Sequence, residues 1–161
     1  MDVVEAAAKN LFEGLQRQAK RTHVGVAIFT AAVLYRLMEH ALKQAMRPMS
    51  VKIYERLFVD SVGPLNSFAS KIVMAYALGI ISKDDYTELG KIKKIRNKFA
   101  HSSELLHFDS EKITPLLARL KRPESEVTKP AALFVLCAKV IANSLTAYIK
   151  DMEERSDRTT K

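Results

Sequence analysis

Residues 82–101 read SKDDYTELGKIKKIRNKFAH, and the punctuation of this stretch decides the fold. Tyr86, Leu89, Ile92, Ile95 and Phe99 recur at steps of three or four, which places them on one face of an α-helix. Ser82 stands where an N-cap belongs and Asp85 follows three residues on, as in a capping box. The basic side chains Lys91, Lys93, Lys94, Arg96 and Lys98 fill most of the remaining arc. A helix with one apolar stripe must lay that stripe against other elements.

The flanking sequence supplies further helices. Gly79 closes a helix that begins near Asn66 or Ser67, in the manner of a C′ glycine. Gly63 and Pro64 make 60–65 a rigid turn, and a short helix capped by Ser50 is expected near 51–58. A long helix runs from an N-cap at Thr22 to Met46, before Pro48. Its first half, 24–37, is apolar nearly all round, as the central helix of a bundle would be. Another helix is expected over 2–20, using Val4, Leu11 and Leu15. Downstream, Pro115 starts or breaks a helix within 110–120, residues 121–130 form a surface linker, and a last helix covers 130–152.

No stretch alternates strictly at two residues, so no strand is expected. The fold class is all-α: a compact single-domain helical bundle over 1–152, followed by a flexible C-terminal tail over 153–161. Tyr76, Leu78, Ile92, Ile95 and Phe99 are expected in its core. The length of 161 residues, 48% of them hydrophobic and 27% charged, fits one folded domain and not a disordered chain.

Cys137 is the only cysteine, which excludes an intrachain disulfide, and its apolar neighbours predict a buried thiol. The apolar runs 24–35 and 131–149 are better read as core helices than as membrane spans: the first is short, the second carries Lys139. Asp2, Glu5 and Glu13 break the layout of a signal peptide. No membrane association and a cytoplasmic location are therefore expected.

The chemistry is sparse. The glycines are isolated, so no phosphate loop is read, and His23, His40, His101 and His107 lack zinc-ligand spacing. No metal and no cofactor are expected. The net charge of +8 and the pI near 9.6 favour RNA, DNA or an acidic protein face as partner. Lys91, Lys93, Lys94 and Lys98 are candidate phosphate contacts. A plainer explanation is a solvated helix face whose lysines meet the macrodipole.

Arg96, Asn97 and His101 are the candidate catalytic residues. Asn97 and His101, four apart, share a helix face, while Arg96 points about a third of a turn away. A histidine can move the proton of a ribose 2′-hydroxyl and an arginine can grip the phosphate, the parts of a metal-independent ribonuclease. The same three side chains could equally tie the helix end to its neighbours.

Gly63-Pro64-Leu65, Ser70-Lys71-Ile72, the run YALGII at 76–81, Tyr86, and Ile92 through His101 together form a block that resembles the mannitol operon repressor family. The dense match covers 63–108. The resemblance implies a small all-α fold, a role in bacterial transcriptional repression and no DNA-binding domain of its own. Action is then expected through a regulatory protein partner or self-association, as a homodimer. Arg96, Asn97 and His101 are also similar to the RNxxxH motif of the HEPN superfamily. Many of its members are dimeric ribonucleases, and others are inactive binding partners. That resemblance implies the alternative, an RNA-binding module or a metal-independent endoribonuclease with those three residues as its site. A helix-turn-helix over 72–101 is disfavoured, because the stripe through Phe99 is needed for packing and recognition helices read bases from their N-terminal turns.

Overall fold

The computed structural model describes residues 22–121, 127 and 129–159. The helix expected over 2–20 and most of the linker lie outside the described residues. The elements are α1 (His23–Ala45), α2 (Val51–Tyr54) running into a π-helical turn (Glu55–Val59), α3 (Phe68–Ala77), α4 (Lys83–His101), α5 (Thr114–Leu117) and α6 (Pro130–Thr159). There is no strand among the described residues, and the fold is all-α.

α1 is the hub, packing against α6, α4 and α3. It buries Val26, Leu34, Met38 and Leu42, with Ala27, Ala31 and Ala41 between them. The alanines let neighbouring helices approach closely, and the larger side chains fill the space around them. From α4 four of the five stripe residues arrive as expected, with Leu89, Ile92 and Ile95 fully buried and Phe99 nearly so, while Tyr86 stays exposed at the rim. Phe99 then meets Phe108 at 4.7 Å between ring centroids, and Phe108 meets Phe134 at 5.2 Å. This aromatic run joins α4, the 102–113 loop and α6. Cys137 is buried, donating to the Lys121 carbonyl at 3.5 Å.

The local signals, Thr22 apart, act as their chemistry predicts. Ser67 Oγ accepts from the Ser70 N–H at 3.0 Å. Ser82 Oγ accepts from the Asp85 N–H at 3.0 Å and donates to its carboxylate at 2.9 Å. Ser50 Oγ accepts from the Ile53 N–H at 3.4 Å, a longer contact. Thr22 stands at the N-cap of α1, but its side chain makes no capping hydrogen bond. Gly79 has φ +71°, the left-handed geometry of a helix-ending glycine. Gly63 is needed for a different reason: a Cβ there would lie 2.8–2.9 Å from the carbonyl oxygens of Arg56, Leu57 and Asp60.

Two expectations are corrected. Tyr76 and Leu78 are not core residues; they are 42% and 48% exposed. α3 buries Lys71, Ile72 and Ala75, and the reversal at Gly79 delivers Ile80 and Ile81 to the interior instead. Tyr76 rests on Tyr86 at the rim, with the rings 4.7 Å apart. The last helix likewise does not end at 152, because α6 continues to Thr159. Arg155 pairs with Asp151 at 3.0 Å and Arg158 with Glu154 at 3.4 Å, each with the acid four residues N-terminal, the favourable order on a helix.

α1 and α6 are long and apolar enough to cross a membrane by length and composition. Half or more of each apolar window, 50% and 56%, is buried inside the bundle, as the core-helix reading requires.

Candidate functional site

The fold sets a cleft on each side of α4. The first, about 520 Å³, lies between α1, the start of α3 and α4 and is lined by Ile28, Tyr35, Asn66, Phe68, Lys93 and Arg96 among others. The second, about 480 Å³, lies by the end of α4 and is lined by Lys94, Lys98, His101, Leu106, Lys112 and Leu116 among others. Asn97 lines both. Among the described residues, neither cleft has an acidic residue in its lining.

This geometry distributes the residues singled out in the sequence. Arg96 opens on the first cleft and His101, exposed at the end of α4, on the second. Arg96 Nη1 donates to Asn97 Oδ1 at 3.1 Å. Asn97 and His101 do share a face, with Arg96 turned away, so one chain does not bring Arg96 and His101 to a common cleft. Lys91 leaves the basic strip: it is partly buried and ion-paired with Glu88. Lys93 joins Arg96 in the first cleft, while Lys94 and Lys98 stand exposed at the second. Among the described residues, none of Lys93, Lys94, Arg96 and Lys98 has a carboxylate at ion-pair distance.

Behind the first cleft lies a charged centre that sequence reasoning missed. Lys71 is fully buried, its ammonium 3.1 Å from Glu39 Oε2. It makes no well-aligned hydrogen bond, so the pairing is coulombic. The Tyr35 ring, with its centroid 3.6 Å from Lys71 Nζ, and the more distant Phe58 ring at 5.4 Å add their π faces. Tyr54 donates its hydroxyl to Glu39 Oε1 at 2.5 Å and stacks on Phe58. Tyr35, which also lines the cleft, is pinned by its hydroxyl, donated to the Asn66 carbonyl at 2.9 Å. Nothing in the periodicity marks Lys71 as interior; only its place in the family-like block drew notice to it.

Burial opposes the charge on Glu39 most strongly, yet the hydrogen bond from Tyr54 and the close positive charges of Lys71 and Arg36 outweigh it. The carboxyl is held below the usual glutamate range. The bond to Glu39, and then burial, push the Tyr54 phenol above its ordinary range. The depressed Glu39 contributes stability that is present above the ordinary glutamate range and lost as pH falls through its lowered value. The raised Tyr54 contributes stability that is present below the ordinary tyrosine range and lost as pH rises through its raised value. The stability difference between wild type and Tyr54→Phe should therefore be flat near neutrality and shrink toward both extremes. Urea midpoints across pH measure it, and a difference unchanged between neutral and strongly acidic pH would refute the coupling.

His23 holds the loop after α4. Its Nδ1 accepts from the Phe108 N–H at 2.9 Å, and the His107 ring packs 4.7 Å from its own. Among the described residues no group of three or more His, Cys, Asp or Glu is arranged to hold a metal ion.

The all-α bundle has solved counterparts. One is the X-ray structure of the MtlR–HPr complex from Escherichia coli, with a TM-score of 0.61 and 20% identity over 91% of this chain and 98% of that one. Another is the crystal structure of a possible transcriptional regulator, YggD, from Shigella flexneri 2a str. 2457T. Its TM-score is 0.52 and its identity 14%, over 88% of this chain and 98% of that one. These likenesses establish the fold. No curated protein matches the sequence. Residues 9–139 match the mannitol repressor profile, and the chain belongs to the mannitol repressor family. It is a regulator of that type.

Proposed function

We propose that this chain represses transcription in the bacterial cytoplasm through a protein partner docked on the outer basic face of α4. One observation carries the reading. Lys94 and Lys98 stand exposed beside a cleft that also holds His101 and the Glu104-paired Lys112; among the described residues they have no carboxylate at ion-pair distance and the lining holds no acidic residue. An acidic partner face would supply the missing counter-charges and steer the encounter. Family membership supports repression, and the Escherichia coli MtlR was solved with HPr. The HPr of the same cell is therefore the first partner to test.

In titration calorimetry the wild-type protein should bind that HPr, with affinity falling as salt rises. The double reversal Lys94→Glu/Lys98→Glu should weaken binding by about tenfold or more while leaving the melting temperature unchanged. Equal binding by wild type and double variant would remove this face from the interface. No binding of HPr at all would move the reading to self-association, a homodimer, which sedimentation velocity would detect.

An endoribonuclease built on Arg96, Asn97 and His101 would need a second copy to bring a histidine to each arginine, because the two open on different clefts. Single-stranded RNA incubated with the protein in EDTA should yield no fragments ending in 2′,3′-cyclic phosphate. Such fragments, lost in a well-folded His101→Ala protein, would replace the regulator reading with the nuclease one.

A further inference from the structure

The first cleft is not required for the docking proposed above, and its chemistry points to a different kind of ligand. One wall is apolar, built from Ile28, Ala31 and Ala32 of α1 with Phe68. The opposite wall is cationic, built from Lys93 and Arg96. Among the described residues no acidic residue lines the space and neither cation has a carboxylate partner. Arg96 is half-buried, and its Nη1 is steadied by Asn97 Oδ1 at 3.1 Å. Among the described residues its other N–H groups meet no acceptor and are left to a ligand. Tyr35 is fixed between the walls by its bond to the Asn66 carbonyl and by the Lys71 ammonium at its ring. α3 begins at the same cleft, and its first-turn N–H groups, those of Phe68 and Ala69, have no carbonyl within the helix to receive them.

A volume of about 520 Å³ is the size of a small-molecule site, and such sites pair a mostly apolar lining with a few convergent polar groups. Two convergent cations call for a compact anion of more than one charge, with oxygens to meet several donors at once. A phosphate monoester meets that description. We propose that this cleft binds a small phosphorylated metabolite, its phosphate held by Arg96 and Lys93 and its organic part laid against Ile28, Ala31 and Phe68. The site would act as an effector pocket on the side of α4 away from Lys94 and Lys98.

The probes are phenyl phosphate, inorganic phosphate and phenol, titrated into the full chain at matched ionic strength with sulfate as control, and followed by NMR amide shifts. Phenyl phosphate should bind more tightly than inorganic phosphate by about threefold or more, since it alone also covers the apolar wall. Its shifts should centre on Ala31, Tyr35 and Phe68, and phenol should not bind. Arg96→Met should weaken phenyl phosphate by about tenfold or more, and Arg96→Lys should recover part of the loss. Lys94→Glu/Lys98→Glu should leave phenyl phosphate binding in place, and HPr binding should survive Arg96→Met, so the two readings fail separately. Equal binding by wild type and a folded Arg96→Met protein would overturn the site. So would displacement of phenyl phosphate by RNA with affinity rising with oligonucleotide length, because the cleft would then be part of a polynucleotide track.

Discussion

Replacing Lys71 by alanine should remove about 3–5 kcal/mol of folding stability, the cost of leaving a buried charge without its partner. The residue left behind is Glu39, 8% exposed and ionised by preference because Tyr54, Lys71 and Arg36 outweigh its burial. Without the ammonium, either the carboxylate stays charged in a dry site or it takes up a proton, and both routes cost stability. The vacated space beneath the Tyr35 ring adds a cavity term. Chemical denaturation of Lys71→Ala and of the double variant Lys71→Met/Glu39→Met separates these causes. Because an apolar pair of similar volume can replace a buried ion pair at little cost, the double variant should be the more stable of the two. A loss below about 1 kcal/mol in Lys71→Ala, the size expected of an exposed pair, would mean that water reaches the ammonium and that the pair is not interior.

Phe99→Ala should cost a similar amount, about 3–5 kcal/mol, for a purely apolar reason. The ring is 4% exposed and stands at the head of the run through Phe108 to Phe134. Its removal withdraws support from α4, from the loop and from α6 together. The loop is tied at that point by the Phe108 N–H, donated to His23, so it cannot collapse freely into the gap. The urea midpoint should fall with the slope unchanged, the sign of lost stability rather than an altered denatured state. A midpoint equal to wild type would show that the stripe of α4 faces elsewhere. Leu78→Ala, at a residue 48% exposed, should stay within about 1 kcal/mol, although the sequence alone ranks the two residues together.

That last comparison shows what was legible and what was not. Helix ends were readable because their signals are local: Ser67, Ser82 and Gly79 each act on backbone within a few residues. The facing of α4 was readable because five apolar positions repeat without competitors. In the run YALGII at 76–81 every residue but the glycine is apolar, so periodicity cannot choose a face. The reversal at Gly79 decides it in favour of Ile80 and Ile81. The end of α6 was read short because its last turns are polar, and their support comes from surface ion pairs rather than a stripe. The burial of Lys71 was not legible because its partners, Glu39 and Tyr35 on α1 and Phe58 in the π-helical turn, come from two other elements. The clefts depend on the same kind of information: Arg96 and His101 are close in sequence, and only the packing of α1, α3 and the 102–116 segment sends them to different spaces.

Gly63 limits how this chain can drift. The three carbonyls around its missing side chain belong to Arg56, Leu57 and Asp60, so the turn is moulded around a hydrogen atom and holds its shape by crowding rather than by a special dihedral. Leu65 donates its N–H to the Leu57 carbonyl at 2.8 Å, and Asn66 donates its side-chain amide to Asp60 and Ser61 at 3.0 and 2.6 Å. The entry to α3, with the wall it gives to the first cleft, is thereby indexed to the π-helical turn like a key in a slot. The smallest coding change at this codon that adds a carbon displaces that index. Variation in this chain is free to repaint the far turns of α6, but at position 63 the tolerance is less than one methyl group.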